Sequence, residues 1–277
     1  MLEFCNENTL SKKIKEEVLP LFLNIEQVKI ERLYLYFSNE YKTDKYDDHV
    51  IIRQEPNIVK ESYFNGRKIG GLQNFGCDIP SWFNLNEKNR NIMVIGLDPL
   101  RSCEEFKNIL EFGTPYAFHI RKVREKDAKK YFEFVEKLAV NYGVYITDAS
   151  KIFYKEIEKN KRSTNCKSFW QNKIHLDVLK KEIEVVKPKL IITLGVVPAH
   201  MLSGERFRTN TEVNFDLTTY KGEFGSIPLI CLPHLSNANN SNINKFLQKN
   251  SLKIESKSQV EAFIELVELR LKNNFPC

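Results

Sequence analysis

Four short apolar runs punctuate the chain from residue 91 onward, and amphipathic stretches fill the gaps between them. The runs are Asn91–Gly96, Val144–Thr147, Lys189–Gly195 and Ile227–Leu232. Each has strand length, and their continuous apolar character predicts strands buried on both faces. Between and after them lie three helical stripes. Residues 127–142 align Tyr131, Phe134, Val135, Leu138 and Tyr142. Residues 170–187 align Ile174, Val178, Ile183 and Val186, and residues 257–272 align Val260, Phe263, Ile264, Val267 and Leu271. A shorter helix begins at Ala199–Leu202 and stops at Gly204; Pro188 precedes the third run, and Asn141–Gly143 turns into the second. Buried strands alternating with amphipathic helices predict βαβ units and a parallel sheet. Right-handed crossovers then bring all four strand C-termini to one edge. The expected fold class is α/β, a three-layer αβα arrangement around a central four-stranded parallel sheet.

The pattern is weaker upstream. Residues 9–23 predict an amphipathic helix with Ile14, Val18, Leu19 and Phe22 on one stripe and Pro20 perturbing its end. Residues 26–38 carry Val28, Ile30, Leu33, Leu35 and Phe37 among charges, which suits a helix or a strand equally. From Ser38 to about Asn89 the chain is rich in Asn, Lys, Gly and Asp and reads as loop. The division expected is therefore an N-terminal helical and loop-rich extension over residues 1–88 and an α/β domain over residues 89–277.

Composition narrows the function classes. The longest apolar runs fall well short of the roughly 20 residues that span a bilayer. The N-terminus, Met1-Leu-Glu-Phe-Cys-Asn, lacks the basic and apolar regions of a secretory signal. A cytoplasmic protein without a membrane partner is expected. Six cysteines are scattered with no CxxC pair, which argues against a zinc ribbon or an iron–sulfur motif; no metal and no cofactor is expected. There is no GxxxxGK[ST], no GxGxxG after a strand, no GxSxG and no HExxH. A net charge of +6 is compatible with a polyanionic partner without establishing one.

The candidate chemistry lies at the predicted strand ends. Asp98, Pro99, Arg101 and Ser102 follow the first strand; Asp148 and Ser150 end the second; Gly195 ends the third. Pro233, His234, Ser236, Asn237 and Asn239 follow the fourth. In open α/β sheets the carboxyl ends of strands are where ligands bind. Each residue also has a plain structural use. Asp98 and Asp148 can cap helices, and on its own residues Asp98 is more often a cap. A single histidine is more often a satisfied structural group. A carboxylate facing an imidazole across a crevice suits hydrolysis: one orients water, the other stabilises charge developing on a leaving group.

These residues, in this order, resemble the uracil-DNA glycosylase superfamily. Gly96-Leu-Asp-Pro-Leu100 is similar to its first motif, of the GQDPY or GEAPG type, and Pro233-His-Leu-Ser236 to its second, of the HPS type. Lys189–Gly195 resembles the intervening strand, Tyr116-Ala-Phe118 the segment supplying a base-stacking aromatic, and Val144–Asp148 the strand ending in the base-reading Asn. The resemblance covers roughly residues 90–250. It implies a glycosylase that flips a base out of DNA; a monomer is expected, though nothing in the residues reports the oligomeric state. Asp98 would orient or activate the attacking water and His234 would stabilise the departing base. Phe118, Asp148, Leu97 and Leu100 would line the base pocket. Arg101, Ser102, Ser150, Gly195, Ser236, Asn237 and Asn239 would contact DNA, with the loop from Leu235 to Asn240 entering the minor groove.

The departures from the family pattern carry information. Leu97 replaces Gln or Glu, Leu235 replaces the Pro of HPS, and Leu100 stands where one branch carries a thymine-excluding Tyr. Asp148 replaces Asn. An amide can donate to O4 of uracil and accept from N3–H, whereas a carboxylate only accepts. It would repel O4 and accept from the N4 amine of cytosine. The expected target is therefore a modified cytosine-type pyrimidine in foreign, phage-type DNA, since cutting ordinary cytosine would destroy the host genome. Two alternatives stay open: a uracil-DNA glycosylase of base-excision repair, and a non-catalytic DNA-binding protein with the same fold.

Overall fold

The structure, a computed structural model, describes residues 2–43, 52–54, 58–64, 72–87, 90–97, 99, 109–156, 173–205, 219–223, 225–236, 239–250 and 258–274. Helix α1 (Thr9–Lys13) opens with a capping box: the Asn8 side chain accepts from the Ser11 N–H and Ser11 Oγ accepts from the Asn8 N–H, both at 2.8 Å. It widens into a π turn, Ile14–Val18, and tightens into a 3-10 turn, Leu19–Leu21, where Pro20 withdraws a backbone donor. The ambiguous stretch that follows is a helix, α2 (Gln27–Lys42), with Ile30, Leu33, Tyr34 and Phe37 turned inward.

The remaining elements, in chain order, are β1 (Ile52–Gln54), β2 (Leu72–Asp78), β3 (Ser81–Phe83), β4 (Asn91–Gly96), β5 (Ile109–Gly113), α3 (Lys129–Ala139), β6 (Gly143–Asp148) and β7 (Ile152–Glu156). Then come α4 (Lys173–Val186), β8 (Leu190–Leu194), α5 (Val196–Ser203), β9 (Thr219–Gly222), β10 (Gly225–Leu232), α6 (Asn240–Lys249) and α7 (Gln259–Asn274). The main sheet has the order β3-β6-β4-β8-β10-β9. Its four central strands are parallel, as expected, and an antiparallel strand is added at each edge, β3 on β6 and β9 on β10. Every residue of β4, β6 and β8 is buried, because helices cover both faces. Helix α3 packs with α7 on one side, with α7 touching β10; α4 packs on the other, against β4, α1 and the Ile14–Val18 turn. This is the expected three-layer arrangement.

A second, four-stranded sheet, β1-β5-β2-β7, was not expected. Two of its strands come from the stretch that reads as loop. The same stretch supplies β3 to the main sheet, and Phe4 bridges to Phe83 within that strand. Residues on both sides of the boundary at 88 share one hydrophobic core, from Phe4 and Ile14 through Trp82 to Val94, Ile192 and Phe263. Among the described residues no helix is long and apolar enough to cross a membrane.

One core group gives the fold a pH dependence. His175, on α4, is fully buried, edge-on to Tyr63 at 4.2 Å. Burial, with the charge of Lys151 nearby, pushes its imidazole down to about 3. An unfolded histidine titrates near 6.5. Above that pH neither state holds the proton and His175 is neutral to stability. As pH falls from about 6.5 toward 3, the unfolded chain takes up a proton that the native state refuses, so stability is lost across this window. At pH 5 the loss is about 2 kcal/mol. Urea unfolding at pH 7 and pH 5 should show this drop in the wild type and a smaller one in His175→Gln. Equal drops in the two proteins would remove His175 as the cause.

Candidate active site

The parallel register brings the strand ends together. Gly96 at the end of β4 pairs with Asp148 at the end of β6, and Leu194 of β8 pairs with Leu232 of β10. Gly195 and His234 follow directly. Backbone bonds then tie neighbouring exits: Ala149 N–H donates to Gly96 O and Ser150 N–H to Leu97 O, both at 2.9 Å, and Gly195 N–H donates to Leu232 O at 2.8 Å.

Two glycines let side chains lean across this edge. A Cβ on Gly96 would stand 2.2 Å from Asp148 Oδ1 and 3.0 Å from the Tyr116 hydroxyl. The carboxylate and the phenol therefore lie directly over the end of β4. Gly195 has φ +99, a left-handed value that glycine adopts without cost. A Cβ there would stand 2.7 Å from His234 Nε2. So the imidazole lies over the end of β8. Strands β4 and β8 are neighbours, with backbones about 5 Å apart. Asp148 comes from one flank of this pair and His234 from the other, and both reach inward over it.

Two stacked tyrosines connect these groups. Tyr116 and Tyr131 have ring centroids 4.6 Å apart and an interplanar angle of 22°. The Tyr131 hydroxyl lies 3.4 Å from His234 Nδ1. Tyr116 and Ala117 both adopt left-handed backbone, with φ 58 and 50, an arrangement that costs of order 1–3 kcal/mol for each non-glycine residue. The loop is held there from outside: Arg124 Nη1 donates to Phe118 O at 2.6 Å while its guanidinium stacks 4.2 Å from the Tyr41 ring. Burial keeps the His234 imidazole below its ordinary value, so it is neutral at pH 7.

Beneath Asp148 sits a closed polar network. Lys151 pairs with Glu182 at 2.7 Å, with side-chain exposures of 1% and 0%. The other carboxylate oxygen of Glu182 accepts from Tyr145 Oη and Thr147 Oγ1, both at 2.8 Å. The Lys151 ammonium also donates to Thr147 Oγ1 and to the Asp148 carbonyl. The network thus fixes the backbone from which the Asp148 carboxylate projects.

The expected site residues sort as follows. Asp148, Gly195 and His234 come together on one edge. Leu97 is half-buried beside them, with its carbonyl bonded to Ser150. Asp98, Leu100, Arg101, Ser102 and Asn237 lie outside the described residues; Leu97 and Pro99, which flank Asp98, follow Gly96 at the same edge. Phe118 has 0% of its surface exposed, stacked on Tyr116 at 5.4 Å and edge-on to Phe132 at 5.6 Å. Core packing occupies that ring, and the half-buried aromatic beside Asp148 is Tyr116 instead. Ser150 is 2% exposed and its hydroxyl donates to Ile152 O at 3.1 Å, so its polar group serves the chain itself and not a phosphate. Asn239 also turns inward: its Nδ2 donates to His234 O at 3.0 Å and its Oδ1 accepts from Asn242 Nδ2 at 2.6 Å, bracing the loop that carries the imidazole. Leu235, in the loop expected to enter the minor groove, is buried, while Ser236 beside it is half-exposed.

Among the described residues no group of three or more His, Cys, Asp or Glu could hold a metal ion. A groove of about 860 Å³ lined by Leu21, Lys181, Pro188, Tyr220 and Ile227 lies at the opposite end of β8 and β10 and shares no residue with the site. None of the curated proteins matches the chain. The family model of the Uracil DNA glycosylase superfamily matches residues 83–255, a span that opens within β3 and takes in every strand end described above. Matched over more than half its length, the chain belongs to the uracil DNA glycosylase superfamily, whose members are in general DNA glycosylases.

Proposed function

We propose that the protein is a monofunctional DNA glycosylase that hydrolyses the N-glycosidic bond of a flipped base and leaves an abasic site. The observation that carries this reading is the convergence of a carboxylate and a neutral imidazole over the ends of two adjacent central strands. In this reading the extruded base enters a slot between Asp148 and His234, with one of its edges turned to each side chain. Tyr116, and not Phe118, is the ring that stacks on the extruded base. Its strained backbone supports this, since such strain persists where a side chain must be held in one place.

In this reading Asp98 orients water toward C1′ and stabilises the positively charged sugar, and His234 donates to the departing base as it takes up electrons. A neutral imidazole can serve that role, because it keeps one ring N–H to donate as charge develops on the base. Lys151 is buried and paired with Glu182, so it is not available as a Schiff-base nucleophile. That supports hydrolysis without strand cleavage. Base flipping supplies the access that a duplex denies, and the charge of +6 favours phosphate contact.

For substrate choice, the Asp148 carboxylate accepts only, which favours a base presenting an exocyclic amine. A modified cytosine in foreign DNA fits, and uracil is the second reading, favoured by the family match itself. The deciding experiment incubates the protein with oligonucleotides carrying uracil, hypoxanthine or a 5-substituted cytosine, then cleaves abasic sites with alkali. Excision of the cytosine derivative supports the reading. Alkali-stable products from every substrate would leave a DNA-binding protein with the same fold. Asp148→Asn should raise the uracil to cytosine ratio of kcat/KM by about tenfold or more, as expected for swapping an acceptor for a donor at one base edge. An unchanged ratio would end the argument from the carboxylate.

A further inference from the structure

We propose that Tyr131 is a positioning residue that fixes His234 in the tautomer with its proton on Nε2, facing the slot. This rests on the reading of His234 as the group that donates to the departing base. Three features carry it. The Tyr131 hydroxyl lies 3.4 Å from Nδ1, on the side of the ring away from Gly195. The Leu235 backbone hydrogen-bonds to the same phenol, which fills an acceptor position on the oxygen and leaves its proton to be donated. Stacking against Tyr116, with ring centroids 4.6 Å apart, holds the phenol ring in place.

The proton bookkeeping then follows from the partners. Burial pushes the Tyr131 phenol up to about 12, so it keeps its proton throughout the neutral range. Among the described residues its side chain meets no acceptor other than His234 Nδ1. A phenol that donates to Nδ1 requires a lone pair there. A neutral imidazole with a lone pair on Nδ1 carries its hydrogen on Nε2. Nε2 is the atom that lies over Gly195, 2.7 Å from the position a Cβ would take. The donor therefore faces the slot, where a base oxygen or ring nitrogen gains charge as the bond to the sugar breaks. In the opposite tautomer a bare acceptor would face that charge and the phenol proton would lose its partner. The loop is anchored around this contact: Asn239 holds the His234 carbonyl, and Leu235 and His234 both meet Tyr131.

The test reads the ring directly. In uniformly 15N-labelled protein at pH 7, long-range proton–nitrogen correlations distinguish the two neutral tautomers, and the spectrum of His234→Gln identifies the His234 signals among five histidines. The wild type should show His234 with a protonated Nε2 and a bare Nδ1. In Tyr131→Phe the Nδ1-protonated form should gain by about two- to tenfold, the worth of one hydrogen bond. kcat for excision should fall with it while KM holds. A wild-type ring protonated on Nδ1, or a tautomer ratio unmoved in Tyr131→Phe, would overturn the proposal without recourse to any activity. A shifted ratio with excision unchanged would keep the tautomer assignment and remove His234 from the reaction, so the two failures are told apart.

Discussion

Replacing Glu182 with glutamine is expected to lower the stability of the fold by about 3–5 kcal/mol, because it strips the counter-charge from a lysine that has no water to turn to. Lys151 and Glu182 are both sealed in the interior, and the same carboxylate accepts from Tyr145 and Thr147. Glutamine keeps the volume and one oxygen acceptor. It cannot offset the ammonium, and its NH₂ group would face that ammonium donor to donor. In a chain of this size the loss corresponds to a fall in melting temperature of about 10 °C or more. The double variant Lys151→Met/Glu182→Gln removes both charges and keeps an acceptor for the two hydroxyls, so most of the loss should return. Thermal unfolding followed by circular dichroism reads both. A Glu182→Gln protein within about 1 kcal/mol of wild type would mean the pair is better hydrated than its burial implies. The double variant also has a second use. It removes the ammonium that binds the Asp148 carbonyl, so the carboxylate proposed to read the base should lose its fixed aim even where stability is restored.

The network also illustrates what the amino-acid pattern discloses and what it hides. Strands β4, β6, β8 and β10 are legible because a parallel strand covered on both faces must be apolar at nearly every position. Their C-terminal residues inherit that legibility, which is how Asp148, Gly195 and His234 could be placed on one edge. Glu182 went unread, although it falls on the inward stripe of α4 between Leu179 and Val186, where an unpaired carboxylate would be prohibitive and a buried partner is required. Helix α2 was undecidable for a definite reason. Val28 and Leu35 are 60% and 62% exposed, and these solvent-facing apolar residues add an alternating pattern to the buried stripe of Ile30, Leu33 and Phe37. The second sheet was invisible because β1 is three residues long and pairs with β5, far along the chain, while β2 mixes Gln, Asn and Gly into its run. No local period reports such pairings. Tyr131 could not be found at all. A tyrosine on an apolar stripe reads as core, and nothing in the stripe says where its hydroxyl ends.

Excision is expected to fall by about 10²–10⁴-fold in Asp98→Asn, the range for removing a positioned acid–base group, and by about 10²–10³-fold in His234→Ala, the range for removing one donor to developing charge. The two losses test different halves of one reaction. In the proposed reaction Asp98 serves the sugar side, where positive charge develops and water arrives, and His234, whose Nε2 lies over Gly195, serves the base side, where negative charge leaves. Because burial holds His234 below its ordinary pKa, its neutral form prevails at neutral pH, and kcat should be level across the neutral range. On the acid side the fall should come at lower pH than for a free imidazole. The combined variant should lose less than the product of the single losses, since the carboxylate has little to stabilise once the base can no longer depart. Single-turnover release of the base from an oligonucleotide measures each case with binding held saturated. Wild-type rates in either single variant would break the pairing of acid and imidazole and move the chemistry to other residues of the same edge.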